Sequence, residues 1–224
     1  MMGKKLTLTA ADGHTMNAYR ADPAGDAKGR LVVIQEIFGV NSHVRGVCDR
    51  FAEAGFVALA PALFDRLQKD FEVGYQPDDV AKGREFKEKA SYDDAVKDID
   101  AAVKALKDEG TVGVVGYCWG GTLSWLSACR IKDVTAAVCY YGGNIIDFNN
   151  ENPKCPTLLH FGEKDQSIPM ENVEKITKAH PDLPSHVYPG AAHGFNCEQR
   201  GSYNEEAAKL ALGRTLEFFG KHLG

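Results

Sequence analysis

The chain has 224 residues, enough for one large domain or two small ones, and a single domain over 1–224 is the simpler expectation. With 44% hydrophobic and 25% charged residues it has the make-up of a globular protein with a substantial core, not of a disordered chain. A net charge of −5 speaks against a nucleic-acid-binding protein, and no apolar run approaches the ~20 residues that a membrane helix needs.

Residues 5–10 and 15–20 flank Asp12-Gly13, a pairing that predicts a β-hairpin. A short β-rich run at 31–36, stopped by Gly39, reads as a buried strand. Residues 41–54 place Val44, Val47, Cys48, Phe51 and Ala54 at helical spacing, with Gly55 as the stop. A second strand follows at 56–60, closed by Pro61. Residues 62–90 are charged and show no clear period, which is long for a connection and suits a lid or binding loop. Ser91, with Asp94 three residues on, starts a helix whose stripe runs from Tyr92 to Leu106. Strands are predicted at 112–117, 134–141, 157–161 and 185–188, and helices at 119–130 and 170–180. A last helix spans 204–221, with Ser202 and Glu205 spaced as a capping box. Strand–helix alternation behind an N-terminal antiparallel hairpin predicts an α/β fold, with a mostly parallel sheet and helices on both faces.

Six cysteines at 48, 118, 129, 139, 155 and 197 form no C-x-x-C pair, which excludes zinc-ribbon and thioredoxin motifs. The N-terminal residues show no apolar leader run, so the expected setting is a reducing cytoplasm with free thiols. Cys48, Cys129 and Cys139 fall at apolar positions and read as inert core residues. The histidines at 14, 43, 160, 180, 186 and 222 show no ligand spacing, and neither a metal nor another cofactor is expected.

The chemistry concentrates at Gly116-Tyr117-Cys118-Trp119-Gly120-Gly121, between a predicted strand and a predicted helix. G-x-C-x-G has the spacing of a nucleophile elbow, with sulfur where serine is commoner. The glycines keep side chains out of a tight crossing, and the helix N-terminus aimed at the thiol favours thiolate. A buried structural cysteine beside a glycine cluster is the plain alternative. A Rossmann phosphate loop needs another pattern at another place. A triad further needs an acid and then a histidine. Asp165 follows the strand at 157–161, and His193, between Ala192 and Gly194, follows the strand at 185–188. Both loops should open on the elbow's edge of the sheet. There His193 would act as base and Asp165 would hold its tautomer.

The elbow, the segment Gln35-Glu36-Ile37-Phe38-Gly39 and the two loops together resemble the dienelactone hydrolase (carboxymethylenebutenolidase) family over almost the whole chain. The resemblance implies an α/β-hydrolase fold and an enzyme that opens enol lactones, with Cys118 as nucleophile, His193 as base and Asp165 as orienting acid. It further implies that Glu36 contacts the thiol and helps to ionise it as substrate binds. The backbone N–H groups of Ile37 and Trp119 would form the oxyanion hole. The family binds its substrate carboxylate with two arginines. Arg84 stands for the first. The second position holds Cys197, with Arg200 three residues on as the substitute. Tyr140 and Tyr141 end a strand on the expected active edge, and Tyr140 is the further candidate for substrate contact, although core packing explains both. The expected partner is a small lactone or ester, with no nucleic acid, no membrane, and a monomer or weak homo-oligomer. Two other functions stay open: a non-catalytic binding or sensing module of the same fold, and a thiol-redox protein using Cys118 and Cys197.

Overall fold

The computed structural model describes residues 3–224, so the start of the chain at Met1 and Met2 lies outside it. An antiparallel hairpin of β1 (Lys4–Thr9) and β2 (Thr15–Ala21) opens the fold, as the Asp12-Gly13 turn predicts, with Gly13 at φ +86°. Then follow β3 (Gly29–Ile34), α1 (Ser42–Glu53), β4 (Phe56–Pro61), α2 (Pro77–Lys89), α3 (Tyr92–Lys107), β5 (Val112–Tyr117) and α4 (Trp119–Arg130). The chain closes with β6 (Ala136–Tyr140), β7 (Thr157–Gly162), α5 (Met170–Ala179), β8 (Ser185–Tyr188) and α6 (Glu205–Leu223).

The eight strands form one sheet in the order β1-β2-β4-β3-β5-β6-β7-β8. β2 runs antiparallel to β4, and every pair from β4 to β8 is parallel. Every residue of β4, β5, β6 and β7 is buried, because helices cover both faces of the parallel part. α3 and α4 pack against each other, and α1 and α6 meet through Phe51 and Phe219, whose rings lie 6.5 Å apart. This α/β-hydrolase arrangement brings the C-terminal ends of β3, β5, β6 and β7 to one edge, where the loops after them converge. No helix among the described residues is long and apolar enough to cross a membrane.

Several boundaries differ from the sequence expectations. β3 stops at Ile34, so Gln35 and Glu36 belong to the following loop; the Gln35 side chain accepts the Leu63 N–H there (3.1 Å). β6 stops at Tyr140 because Tyr141 turns to φ +37°. Residues 62–90 are not one irregular loop: they hold a 3-10 turn at Leu63–Arg66 and the whole of α2. α2 buries only Gly83 and Phe86, too narrow a stripe to show a period. The cap of α6 is Asn204, whose side chain accepts the Ala207 N–H (3.0 Å), while the Ser202 hydroxyl has no partner among the described residues.

Candidate active site

Cys118 stands between β5 and α4 at φ +57°, ψ −116°, a strained conformation for a side-chain-bearing residue. The tight crossing of β5 and α4 explains the glycines around it. A Cβ on Gly116 would fall 1.9 Å from the Gly120 carbonyl oxygen. One on Gly120 would fall 2.5 Å from the carbonyl oxygens of Ile34 and Gln35, and one on Gly121 2.3 Å from that of Tyr140. The Cys118 N–H donates to the Tyr140 carbonyl (3.0 Å), which locks the bend to β6. The thiol stays partly exposed at the start of α4, where the helix dipole favours negative charge.

Asp165 lies in the loop after β7 and His193 in the loop after β8. The His193 Nδ1–H donates to Asp165 Oδ2 (2.7 Å), and Asp165 Oδ1 accepts the Ser167 N–H (2.8 Å). The Cys118 sulfur lies near enough to the same imidazole to act on its charge. Burial alone would lower the His193 pKa. The facing sulfur and the Asp165 carboxylate outweigh it and raise the pKa to about 10. Two backbone donors are also at hand. The Ile37 N–H bonds to no other protein atom among the described residues, and Trp119 is the first residue of α4, whose N–H has no acceptor within the helix.

Glu36 is 1% exposed, and its carboxylate finds partners in side chains. Arg200 donates to Oε1 (3.1 Å), and the Tyr75 hydroxyl is a longer 3.5 Å from Oε2. The Arg200 guanidinium spans Phe38 and Tyr75, 5.6 and 5.9 Å from their ring centres. It also occupies the space that a Cβ on Gly194 would need (2.3 Å), directly beside His193. Arg200 therefore stands at the site. Arg84 lies exposed on α2 with no ion pair among the described residues.

Tyr140 is not brought to the site. Its hydroxyl shares a hydrogen bond with Thr215 on α6 (2.6 Å), in the core. Tyr141, one residue on, is the tyrosine that faces His193, with ring centres 5.2 Å apart. Cys197 is fully buried, and all six cysteines are free. Burial, aided by the nearby Glu36, pushes the Cys197 thiol up to about 11, which makes it a poor redox partner near neutral pH.

A model of the dienelactone hydrolase family matches residues 16–223. The chain belongs to that family. It is 38% identical to a proposed carboxymethylenebutenolidase of Synechocystis sp., covering 98% of each chain. It is also similar to the crystal structure of a proposed dienelactone hydrolase from Klebsiella pneumoniae. That match has a TM-score of 0.85 at 30% identity and covers 98% of this chain and 100% of that one. An esterase of Pyrococcus furiosus shares the fold at a TM-score of 0.73 and 16% identity, covering 99% of this chain and 93% of that one. Membership in the dienelactone hydrolase family makes the chain a hydrolase, with small esters and lactones as the implied substrate class.

Two residues near this site, Tyr75 and His43, escape a reading of the sequence, and Tyr141 is named there only as a strand end open to core packing. Tyr75 lies in the aperiodic stretch before α2, His43 sits on the buried stripe of α1, and Tyr141 looks like a strand end. For Tyr75 and His43 no local signal exists, because only the fold brings residues near 36, 43, 75 and 197 together. For Tyr141 the pair Tyr140-Tyr141 was a signal, since the side chains of successive strand residues point to opposite faces.

Proposed function

We propose that the chain hydrolyses enol lactones or short activated esters through Cys118, His193 and Asp165, with an acyl-thioester intermediate. The observation that carries this reading is the His193 ring, bonded to Asp165 at 2.7 Å and facing the Cys118 sulfur. In this reading Cys118 thiolate attacks the carbonyl carbon and forms a C–S bond. The carbonyl oxygen takes up the charge and is held by the N–H groups of Ile37 and Trp119. The tetrahedral adduct collapses, the C–O bond to the leaving group breaks, and His193 supplies that oxygen with a proton. Water, deprotonated by His193, then cleaves the thioester, and the acid leaves with Cys118 restored as thiolate beside an imidazolium. Asp165 holds the imidazole in one tautomer throughout. The reaction as written uses no cofactor.

Arg200 and Glu36 supply the selective part. A substrate carboxylate competes with Glu36 for the Arg200 guanidinium, whose fork suits either anion. As Arg200 turns to substrate, Glu36 loses its cation and becomes the stronger base, free to take the thiol proton of any Cys118 not yet ionised. Arg84 is a second cation for the same carboxylate, and it needs a movement of α2 to reach it. Enol lactones suit a thiolate because the enolate leaves readily; plain alkyl esters should be slow.

A panel of enol lactones and aryl esters, with and without a carboxylate, tests the reading. Cys118→Ala should lower turnover of every substrate by about 10⁴-fold or more. Retained lactonase activity in that variant would exclude the mechanism.

A further inference from the structure

Beside the catalytic cluster lies a second group of residues with no part in the proposed hydrolysis except Glu36. His43 is 1% exposed on α1, and neither ring nitrogen has a hydrogen-bond partner among the described residues. A Glu198 carboxylate oxygen lies 3.4 Å from Nδ1 without forming a hydrogen bond. A buried imidazole without a partner is costly, and such a group calls for an explanation. Cys197 and Glu36 close the cluster: a ligand atom from each of Glu36, His43 and Cys197 lies within 4.8 Å of the others. One oxygen of Glu36 faces Arg200, and the second is held only by the long contact to Tyr75.

We propose that Glu36, His43 and Cys197 form a binding site for a zinc-class divalent cation, separate from the thiol and imidazole of the catalytic cluster. Thiolate, imidazole and carboxylate are the ligand types zinc takes. Tetrahedral zinc holds such atoms about 3.5 Å apart, given Zn–S near 2.3 Å and Zn–N near 2.0 Å, so small side-chain rotations close the cluster. As the metal binds, the Cys197 S–H bond breaks, its proton passes to the buffer, and an S–Zn bond forms. Tyr75 or a water takes the fourth position. The site draws Glu36 into the metal shell, so it deepens the reading above, in which the same carboxylate serves Cys118.

Cobalt(II), which reports thiolate ligation by a charge-transfer band, is the probe. The titration is done in Cys118→Ser, so that the catalytic thiol cannot supply the signal. The expected result is one equivalent of cobalt per chain with that band, displaced by zinc. Adding Cys197→Ala should abolish the band, and His43→Gln should weaken binding at least 10-fold, the loss expected even for an outer-shell partner. Circular dichroism establishes that each variant is folded, and either substitution alone decides the matter if the other does not fold. No band in Cys118→Ser would overturn the proposal. So would a band unchanged by Cys197→Ala, or affinity unchanged by His43→Gln. The readout is metal uptake, so failure here leaves lactone turnover, measured with chelator present, as a separate test of the hydrolase reading.

Discussion

At Cys118 backbone strain and charge meet. The residue holds φ +57° although it has a side chain, and the neighbouring glycines leave no room for the bend to relax. His193 is held as imidazolium well above its usual range because the sulfur and Asp165 stabilise its charge. The sign of the pH dependence follows. In the proposed mechanism, deprotonation of His193 near pH 10 removes the acid needed by the leaving group, so acylation should fall on the alkaline side of about pH 10. Asp165→Asn removes one of the two anionic partners. It should move that limb to lower pH and cut kcat by roughly 10²–10⁴-fold. A pH–rate profile of kcat/KM for an aryl ester checks both, and an unmoved limb would show that Asp165 does not act through the ring. The residue types proposed for catalysis were legible because their spacing is local: glycine two before and two after, and one loop residue after each of two strands. The partner of Glu36 was not, because Arg200 is far off in sequence and the pair is made only by the fold.

Among the elements, α2 is the one that a periodicity argument misses and the site uses. The segment from residue 63 to α2 is anchored by aromatics. Phe71 stacks on Phe86 at 3.8 Å, and Phe64 stacks on Trp119, next to Cys118, at 5.0 Å. Gly39, at φ +76°, pairs with Glu72 and leaves space for the Phe71 carbonyl. Gly83 lets α2 lie on Ile37: a Cβ there would be 2.4 Å from the Ile37 carbonyl oxygen. Gly83→Ala should therefore shift the Ile37 peptide and lower kcat between 10- and 100-fold, with the fold retained. Steady-state kinetics beside a thermal melt measure this; unchanged kcat in a stably folded variant would remove Ile37 from the oxyanion hole. In contrast, the stripes of α1 and α3 are broad, and their boundaries came within a residue or two.

Across the whole molecule, the buried parallel strands and the covering helices are what the alternating pattern dictates, and the fold was legible for that reason. What binds the C-terminal strands to α6 was not. His160 on β7 is fully buried, with Nδ1 sharing a hydrogen bond with the Tyr188 hydroxyl (2.8 Å) and Nε2 one with the Thr215 hydroxyl (3.1 Å). Burial, reinforced by His186 and Arg214, lowers its pKa well below 6.5. The unfolded chain therefore binds a proton that the folded chain refuses. Stability contributed by His160 is intact above about pH 6.5 and falls below it by up to about 1.4 kcal/mol per pH unit. Urea unfolding at pH 7.5 and 5.5 should show a smaller drop for His160→Gln than for the unmodified chain. Equal drops would mean that the ring titrates normally.

The most direct measurement of the central claim is rapid quenching of the protein with an activated aryl ester, followed by peptide mass spectrometry. The account predicts an acyl group on the peptide carrying Cys118, formed before steady-state turnover and absent from Cys118→Ala. An acyl group on another residue, or full turnover with no modified Cys118, would contradict it.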